Sequence, residues 1–151
     1  REWSTLESFV RTSNIIKGSK GREIQISSTE LMRILWPPQG FICSDVNDCS
    51  VVVSYETGGQ SVLYMGDVGA GVTSQLEITN KPNLVKLPHH GARDTLTENF
   101  LSSASPFTGI LSFGIKNKYG HPHKETLDLL DKFGSHVIRT TEGSYLVKLV
   151  Y

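Results

Sequence analysis

Asp67, the pair His89-His90 and the pair His121-His123 are the residues whose types and spacing could do chemistry. Each follows an apolar run that reads as a strand. Leu63-Tyr64-Met65 and a glycine precede Asp67, Val85-Lys86-Leu87 and a proline precede His89, and Leu111-Ser112-Phe113 and a Gly-containing loop precede His121. Carboxylate and neutral imidazole are ligands that suit Zn²⁺ and Mn²⁺, and an aspartate can bridge two such ions in phosphoryl chemistry. Taken singly, each residue has an ordinary explanation: Gly-Asp after a strand is a turn or a helix cap, and a lone histidine is more often a hydrogen-bonded surface or core residue than a ligand. Together they stand at three successive strand ends, where loops held by a rigid sheet collect ligands in α/β proteins. Four of the five histidines fall in these two clusters; the fifth, His136, follows a helix and has no such neighbours. The set points to a metal or phosphate site.

The elements that must position these residues can be read from periodicity. Residues 22–26 alternate polar and apolar, as a half-buried strand does, and 30–36 form a second strand stopped by Pro37-Pro38. A loop over 39–48 follows. Strands over 51–55 and 61–65 flank Gly58-Gly59, a strong hairpin pattern. Residues 84–87 are a short apolar strand ended by Pro88. Residues 95–103 are helix-like, with Leu96, Phe100 and Leu101 on one face, and 109–113 are a strand. Residues 124–133 form an amphipathic helix that should bury Leu127, Leu130 and Phe133, expose Lys124, Asp128 and Lys132, and stop at Gly134. A helix end over 6–10 and strands over 137–139 and 145–150 complete the chain. Apolar strands followed by single amphipathic helices predict an α/β fold, a sheet covered by helices on one face.

The 151 residues are 38 % hydrophobic and 20 % charged, which describes one folded domain or part of one rather than a disordered chain. Fifteen Lys and Arg balance fifteen Asp and Glu, which excludes a global basic field for nucleic acid. A local one remains: Lys116, Lys118 and Lys124 bracket His121 and His123, and Arg93 follows His90. No apolar run approaches the roughly 20 residues that span a bilayer. The start at Arg1 rather than Met is read as a piece of a longer or processed chain. Cys43 and Cys49 lack zinc-ribbon or Cys-x-x-Cys spacing. The expectation is an unpaired, buried Cys49 opening a strand and a loop Cys43, with a disulfide of an oxidising compartment as the alternative.

Met65-Gly66-Asp67 resembles the Gly-Asp motif of the metallo-β-lactamase superfamily. Leu87-Pro88-His89-His90-Gly91 and Tyr119-Gly120-His121-Pro122-His123 resemble the Pro-His-His-Gly and Tyr-Gly-His-Pro-His motifs of its ComEC-type branch, which belongs to DNA-uptake competence proteins. Trp36-Pro37-Pro38, Asn47-Asp48-Cys49-Ser50 and Arg139-Thr140-Thr141-Glu142-Gly143 match that branch in the same order, so the resemblance runs from about Gly18 to Val150.

The resemblance implies a metallo-β-lactamase-like αββα sandwich, with residues 1–151 as its C-terminal half. It also implies a dinuclear Zn²⁺ or Mn²⁺ centre that hydrolyses DNA phosphodiesters by activating water. Asp67 would bridge the metals and His89 and His90 would ligate. His90, His121 and His123 would ligate, contact phosphate or protonate the leaving oxygen. Asn47, Arg93, Lys116 and Lys118 would face the substrate. The implied partners are DNA, the membrane-channel part of a parent protein and, through an exposed apolar sheet face, a second copy. The implied place is a soluble domain of a bacterial membrane protein on the extracytoplasmic side, with the cytoplasm as the alternative.

One departure is large. The superfamily's first metal motif, His-x-His-x-Asp-His, is absent, and no histidine precedes His89. The first half of the fold is expected upstream in a parent protein, on another chain, or lost, and the chain alone is expected to hold metal weakly and hydrolyse little. Two further readings stand beside the nuclease: another metallo-hydrolase, of phosphocholine esterase or lactonase type, and an inactive half-domain that scaffolds or binds DNA.

Overall fold

The computed structural model describes residues 18–105 and 107–144. The helix end expected over 6–10 and the strand expected over 145–150 lie outside the described residues. Within them lies one mixed seven-stranded sheet whose spatial order is the chain order: β1 (Glu23–Gln25), β2 (Glu30–Trp36), β3 (Val52–Thr57), β4 (Gln60–Tyr64), β5 (Leu84–Lys86), β6 (Thr108–Leu111) and β7 (His136–Arg139). The α/β class is therefore observed, with helices α1 (Ala70–Thr73), α2 (Glu98–Ala104) and α3 (Lys124–Lys132) in the three crossovers.

β1 to β4 run antiparallel. The two-residue turn Gly58-Gly59 joins β3 to β4 with both φ angles positive, at 53° and 78°, as a primed hairpin turn requires. From β4 onward the pairs are parallel. Parallel neighbours need a crossover, because the chain must return to the starting edge before the next strand begins. The C-terminal ends of β4, β5 and β6 consequently share one edge. The N-terminal end of β3, antiparallel to β4, joins them there.

Burial follows the register. Val52, Leu63, Val85, Leu87 and Leu111 point to the helical face and pack with Val72, Phe100, Leu101 and Leu130 in one core. Each such side chain contributes about 1.5–3 kcal/mol by leaving water. Gly109 lies under that layer because a Cβ there would stand 2.9 Å from Leu87 Cδ1. α2 begins where Thr97 accepts a hydrogen bond from the Phe100 amide at 3.3 Å, an N-cap that moves the helix start past the Thr95 expected from periodicity. α3 ends at Gly134, whose φ of 69° turns the chain back so that the Ser135 amide reaches Leu130 O at 3.0 Å. In α3 Leu130 is fully buried, and Leu127 and Phe133 pack half-buried against the core. Lys124, Asp128 and Lys132 face solvent, as expected.

Three expectations need correction. The short α1 was not anticipated; at four residues it is one turn, too short to show a helical period. Cys43 and Cys49 form a disulfide, with Cα atoms 5.6 Å apart, and Cys49 is an exposed residue of the 3₁₀ turn Val46–Cys49 rather than a core residue opening a strand. The sheet face away from the helices is apolar but not bare: Ile34, Val62 and Leu84 are buried, and exposure is concentrated at Tyr64 (49 %) and Ile24 (37 %).

Candidate functional site

The shared sheet edge collects the chemistry. β4 leads through Met65 to Gly66, whose φ of 58° and closeness to Ser50 leave no room for a side chain; a Cβ would lie 2.7 Å from Ser50 Cβ. That turn places Asp67, whose amide donates to Ser50 Oγ at 3.1 Å, while the Gly69 amide donates to Asp48 Oδ1 at 2.8 Å. The Asp67 turn is thus braced by Ser50 and Asp48. Asn47, expected to face the site, lies in the local 3₁₀ turn before β3, where its backbone amide donates to Asp45 Oδ1 at 2.9 Å.

β5 leads through Leu87 into Pro88–Gly91. His89 (φ 44°, ψ 44°) and His90 (φ 57°, ψ 20°) both adopt the left-handed region, followed by Gly91 at φ 81°. Two consecutive non-glycine residues there store strain, of order 1–3 kcal/mol each, and such strain gathers at functional sites. The turn is held on both sides: the His89 amide donates to Gly66 O and the His123 amide to Gly91 O, each at 3.0 Å. It is also tightly packed, since a Cβ on Gly91 would meet Leu111 Cδ2 at 2.6 Å and Pro122 Cβ at 2.9 Å.

The four imidazoles converge. Ring centroids lie 6.3 Å apart for His89 and His90, 5.6 Å for His89 and His121, 6.1 Å for His90 and His121, and 5.1 Å for His121 and His123. His90 Nε2 is 3.8 Å from Asp67 Oδ1. Burial first, then the neighbouring His123, His89 and His90, hold His121 below the ordinary histidine range, against an opposing pull from Asp67.

Hydrogen bonds fix two of these rings in opposite tautomers. His90 Nδ1 lies 2.5 Å from Ser112 O. A carbonyl only accepts, so Nδ1 carries a proton, and in the neutral ring the lone pair is on Nε2, the nitrogen on the side of Asp67. His123 Nδ1 instead accepts the Arg93 amide at 2.9 Å, so the neutral ring carries its proton on Nε2 and presents a donor. His90 is arranged as a ligand or base, His123 as a hydrogen-bond donor.

Asp67 and His90 fit a divalent ion as part of its donor set: their chemistry is right, and the Ser112 carbonyl behind His90 is the outer partner that metal-bound imidazoles use. They do not complete one. Among the described residues no three His, Cys, Asp or Glu side chains form a metal-holding group, and a protein site takes three or more such ligands.

The basic residues differ in availability. Arg93 Nη2 is paired with Glu125 at 3.0 Å, and Lys124 with Asp128. Lys116 and Lys118 are exposed and have no carboxylate partner among the described residues. Lys86, which periodicity assigns only to a strand, belongs with the site. It is half-buried at the end of β5, donates to Leu87 O at 2.8 Å, and is pulled below the ordinary lysine range by burial, with Asp67 opposing. A lysine inside the otherwise apolar Leu84-Val85-Lys86-Leu87 was the signal that could have found it.

No helix among the described residues is long and apolar enough to cross a membrane. No protein-family model matches the chain. It is similar to Recombination protein 2 of Haemophilus influenzae, 29 % identical over 104 residues, or 68 % of this chain and 13 % of that protein. It is also similar to ComE operon protein 3 of Bacillus subtilis, 35 % identical over 102 residues, or 64 % of this chain and 13 % of that protein. The chain thus matches about 13 % of the length of each of these curated relatives.

Proposed function

We propose that this chain is the C-terminal half of a metallo-β-lactamase-like hydrolase domain of a competence-related DNA-uptake protein, acting on DNA phosphodiesters. The observation that carries the reading is the pairing of Asp67 with His90, whose ligating nitrogen is turned toward the carboxylate by the Ser112 carbonyl. The similarity to ComE operon protein 3 and Recombination protein 2 supplies the DNA-uptake setting.

Asp67 and His90 would hold Zn²⁺ or Mn²⁺ together with donors from outside these 151 residues, in a four-layer αββα sandwich, with His89 as the further ligand that the resemblance implies. When bound, the metal lowers the pKa of a water and offsets charge on phosphorus. The chain's own residues bind and orient. Lys116 and Lys118 attract the phosphate backbone, Lys86 adds positive charge beneath Asp67, and His123 Nε2–H donates to a phosphate or leaving oxygen. The Cys43–Cys49 disulfide favours an oxidising, extracytoplasmic location.

The test uses the whole protein that carries these residues, with DNA and Mn²⁺ or Zn²⁺. Asp67→Ala abolishes cleavage and weakens metal binding together, whereas His123→Ala lowers turnover more than metal affinity. Metal-dependent cleavage that survives Asp67→Ala sinks the reading. The lack of a three-donor group among the described residues favours one rival, an inactive DNA-binding half-domain. Metal-independent DNA binding without cleavage by the whole protein would select that rival.

A further inference from the structure

Residues 114–120 form a loop beside the histidine cluster with two features that the hydrolytic reading leaves unused. The first is exposure of large apolar side chains: Ile115 is 80 % exposed and Tyr119 is 64 % exposed. The second is rigidity. Asn117 closes the loop on itself, its amide donating to Gly114 O at 3.1 Å and its Nδ2 to Gly114 O at 3.0 Å and His121 O at 2.9 Å, while its Oδ1 accepts the His121 amide at 2.8 Å. The braced loop carries Tyr119, whose ring has one orientation in the structure.

That orientation is parallel to the cluster. The Tyr119 ring lies 5.7 Å from His121 with 21° between planes, and His121 lies 6.1 Å from His90 with 20° between planes. The three rings step from solvent to Asp67 with their faces aligned. Lys118 Nζ stands 5.0 Å from the centre of the Tyr119 ring, and neither it nor Lys116 is neutralised by a carboxylate among the described residues. An exposed aromatic ring beside cations that have no carboxylate partner is the physical recipe for holding a single nucleic-acid strand: the ring stacks a base once Lys118 swings from its cation–π contact, and the ammonium groups take the flanking phosphates. A base inside a duplex has both faces covered by its neighbours, so it cannot stack on Tyr119 without leaving the helix.

We infer that the 114–120 loop is a stacking platform through which this site takes single-stranded or frayed DNA in preference to intact duplex, with Tyr119 as the residue that sets the preference. The inference rests on the reading of the cluster as a DNA phosphodiester site, and it concerns strand recognition rather than cleavage.

The test measures binding alone. Fluorescence anisotropy follows a labelled oligonucleotide, free or annealed to its complement as a blunt duplex, with the whole protein and without metal. Tyr119→Ala lowers affinity for the single strand by about ten- to a hundredfold and changes duplex affinity little. Tyr119→Phe keeps the wild-type preference, which separates stacking from the hydroxyl. The Lys116→Ala, Lys118→Ala double variant weakens both forms and flattens the salt dependence. Equal loss for both forms in Tyr119→Ala, or no loss for either, overturns the inference. An Asp67→Ala protein that cannot cleave yet keeps the Tyr119-dependent preference supports it independently of the chemistry. A wild-type protein that binds neither form overturns both proposals.

Discussion

Between β1 and β4 the chain doubles back at every strand, so successive strand ends fall on alternate edges of the sheet. Between β4 and β7 it crosses over each time, so every strand end falls on the same edge. The antiparallel half has short turns between β1 and β2 and between β3 and β4, a long loop between β2 and β3, and ion pairs such as Arg33 with Glu23 at 2.8 Å and with Glu56 at 2.6 Å. The more exposed pair with Glu23 contributes about 0–1 kcal/mol. The parallel half gathers Asp67, four histidines and two left-handed histidine backbones at one place. Backbone strain and dense packing are therefore concentrated where the chemistry is, and the antiparallel half acts as a frame with one contribution of its own, the disulfide-bearing loop before β3.

The sharpest way to break this contrast is the same substitution in each half. Gly91 and Gly59 both have positive φ, at 81° and 78°, but a Cβ at Gly91 collides with Leu111 and Pro122 whereas one at Gly59 meets nothing within 4 Å. Gly91→Ala should cost about 2–4 kcal/mol, combining left-handed strain with overpacking, and should weaken DNA binding by distorting the His89-His90 turn. Gly59→Ala should cost about 1–2 kcal/mol and leave binding unchanged. Denaturant melts of both variants check the pair, and equal losses would show that packing at the histidine turn is no tighter than at the hairpin.

A smaller effect belongs to the loop before β3. Replacing Cys43 and Cys49 by serine should cost about 2 kcal/mol, the value for a short closed loop. Asp48 sits in the bridged segment and accepts the Gly69 amide, so hydrogen exchange at Gly69 should quicken in the same variant. Unchanged exchange there would separate the disulfide from the site.

The smallest effect lies in the antiparallel frame. Tyr55 Oη donates to Glu30 Oε1 at 2.5 Å, and this bond, with a lesser one from Ser27, holds the Glu30 carboxyl below the ordinary range. A lowered folded-state pKa stabilises above the unfolded pKa and ceases to do so as pH falls through the folded value. Tyr55→Phe should raise the Glu30 pKa in an NMR titration and remove a small stabilisation that is present near neutral pH and absent in acid. A Glu30 titration indifferent to Tyr55 would remove that bond from the account.

Much of this arrangement was legible in the residues. Apolar strands followed by Asp67, His89-His90 and His121-His123 placed the reactive groups at strand ends, and a parallel sheet brings such ends together without further information. The amphipathic pattern of α3 gave its buried face because one helix face meets one sheet. What escaped was non-local or backbone-borne. His90 and His123 look alike in sequence, and their opposite tautomers depend on Ser112 O and the Arg93 amide, distant along the chain. Nothing in the histidine type announces a left-handed φ at His89 and His90, which the surrounding packing imposes. Asp48 and Ser50 carry no signal of a role in sequence, yet in the fold they reach the Asp67 turn. The cysteine pair was misread because six residues of separation says little until the 3₁₀ turn brings the two together.

The spatial order of the strands has a consequence for synthesis. Since β1 to β7 lie side by side in chain order, a nascent chain leaving the ribosome always finds the partner of its newest strand already in place, and no segment need wait for a distant one. The antiparallel ribbon is available first, and each crossover adds one strand to a growing edge. His121 and His123 emerge last among the reactive residues, after β6 has supplied the surface on which they settle. A chain halted before residue 121 carries Asp67 and the His89-His90 turn but neither of the later imidazoles, so the order of assembly keeps the cluster incomplete until the sheet beneath it is nearly finished.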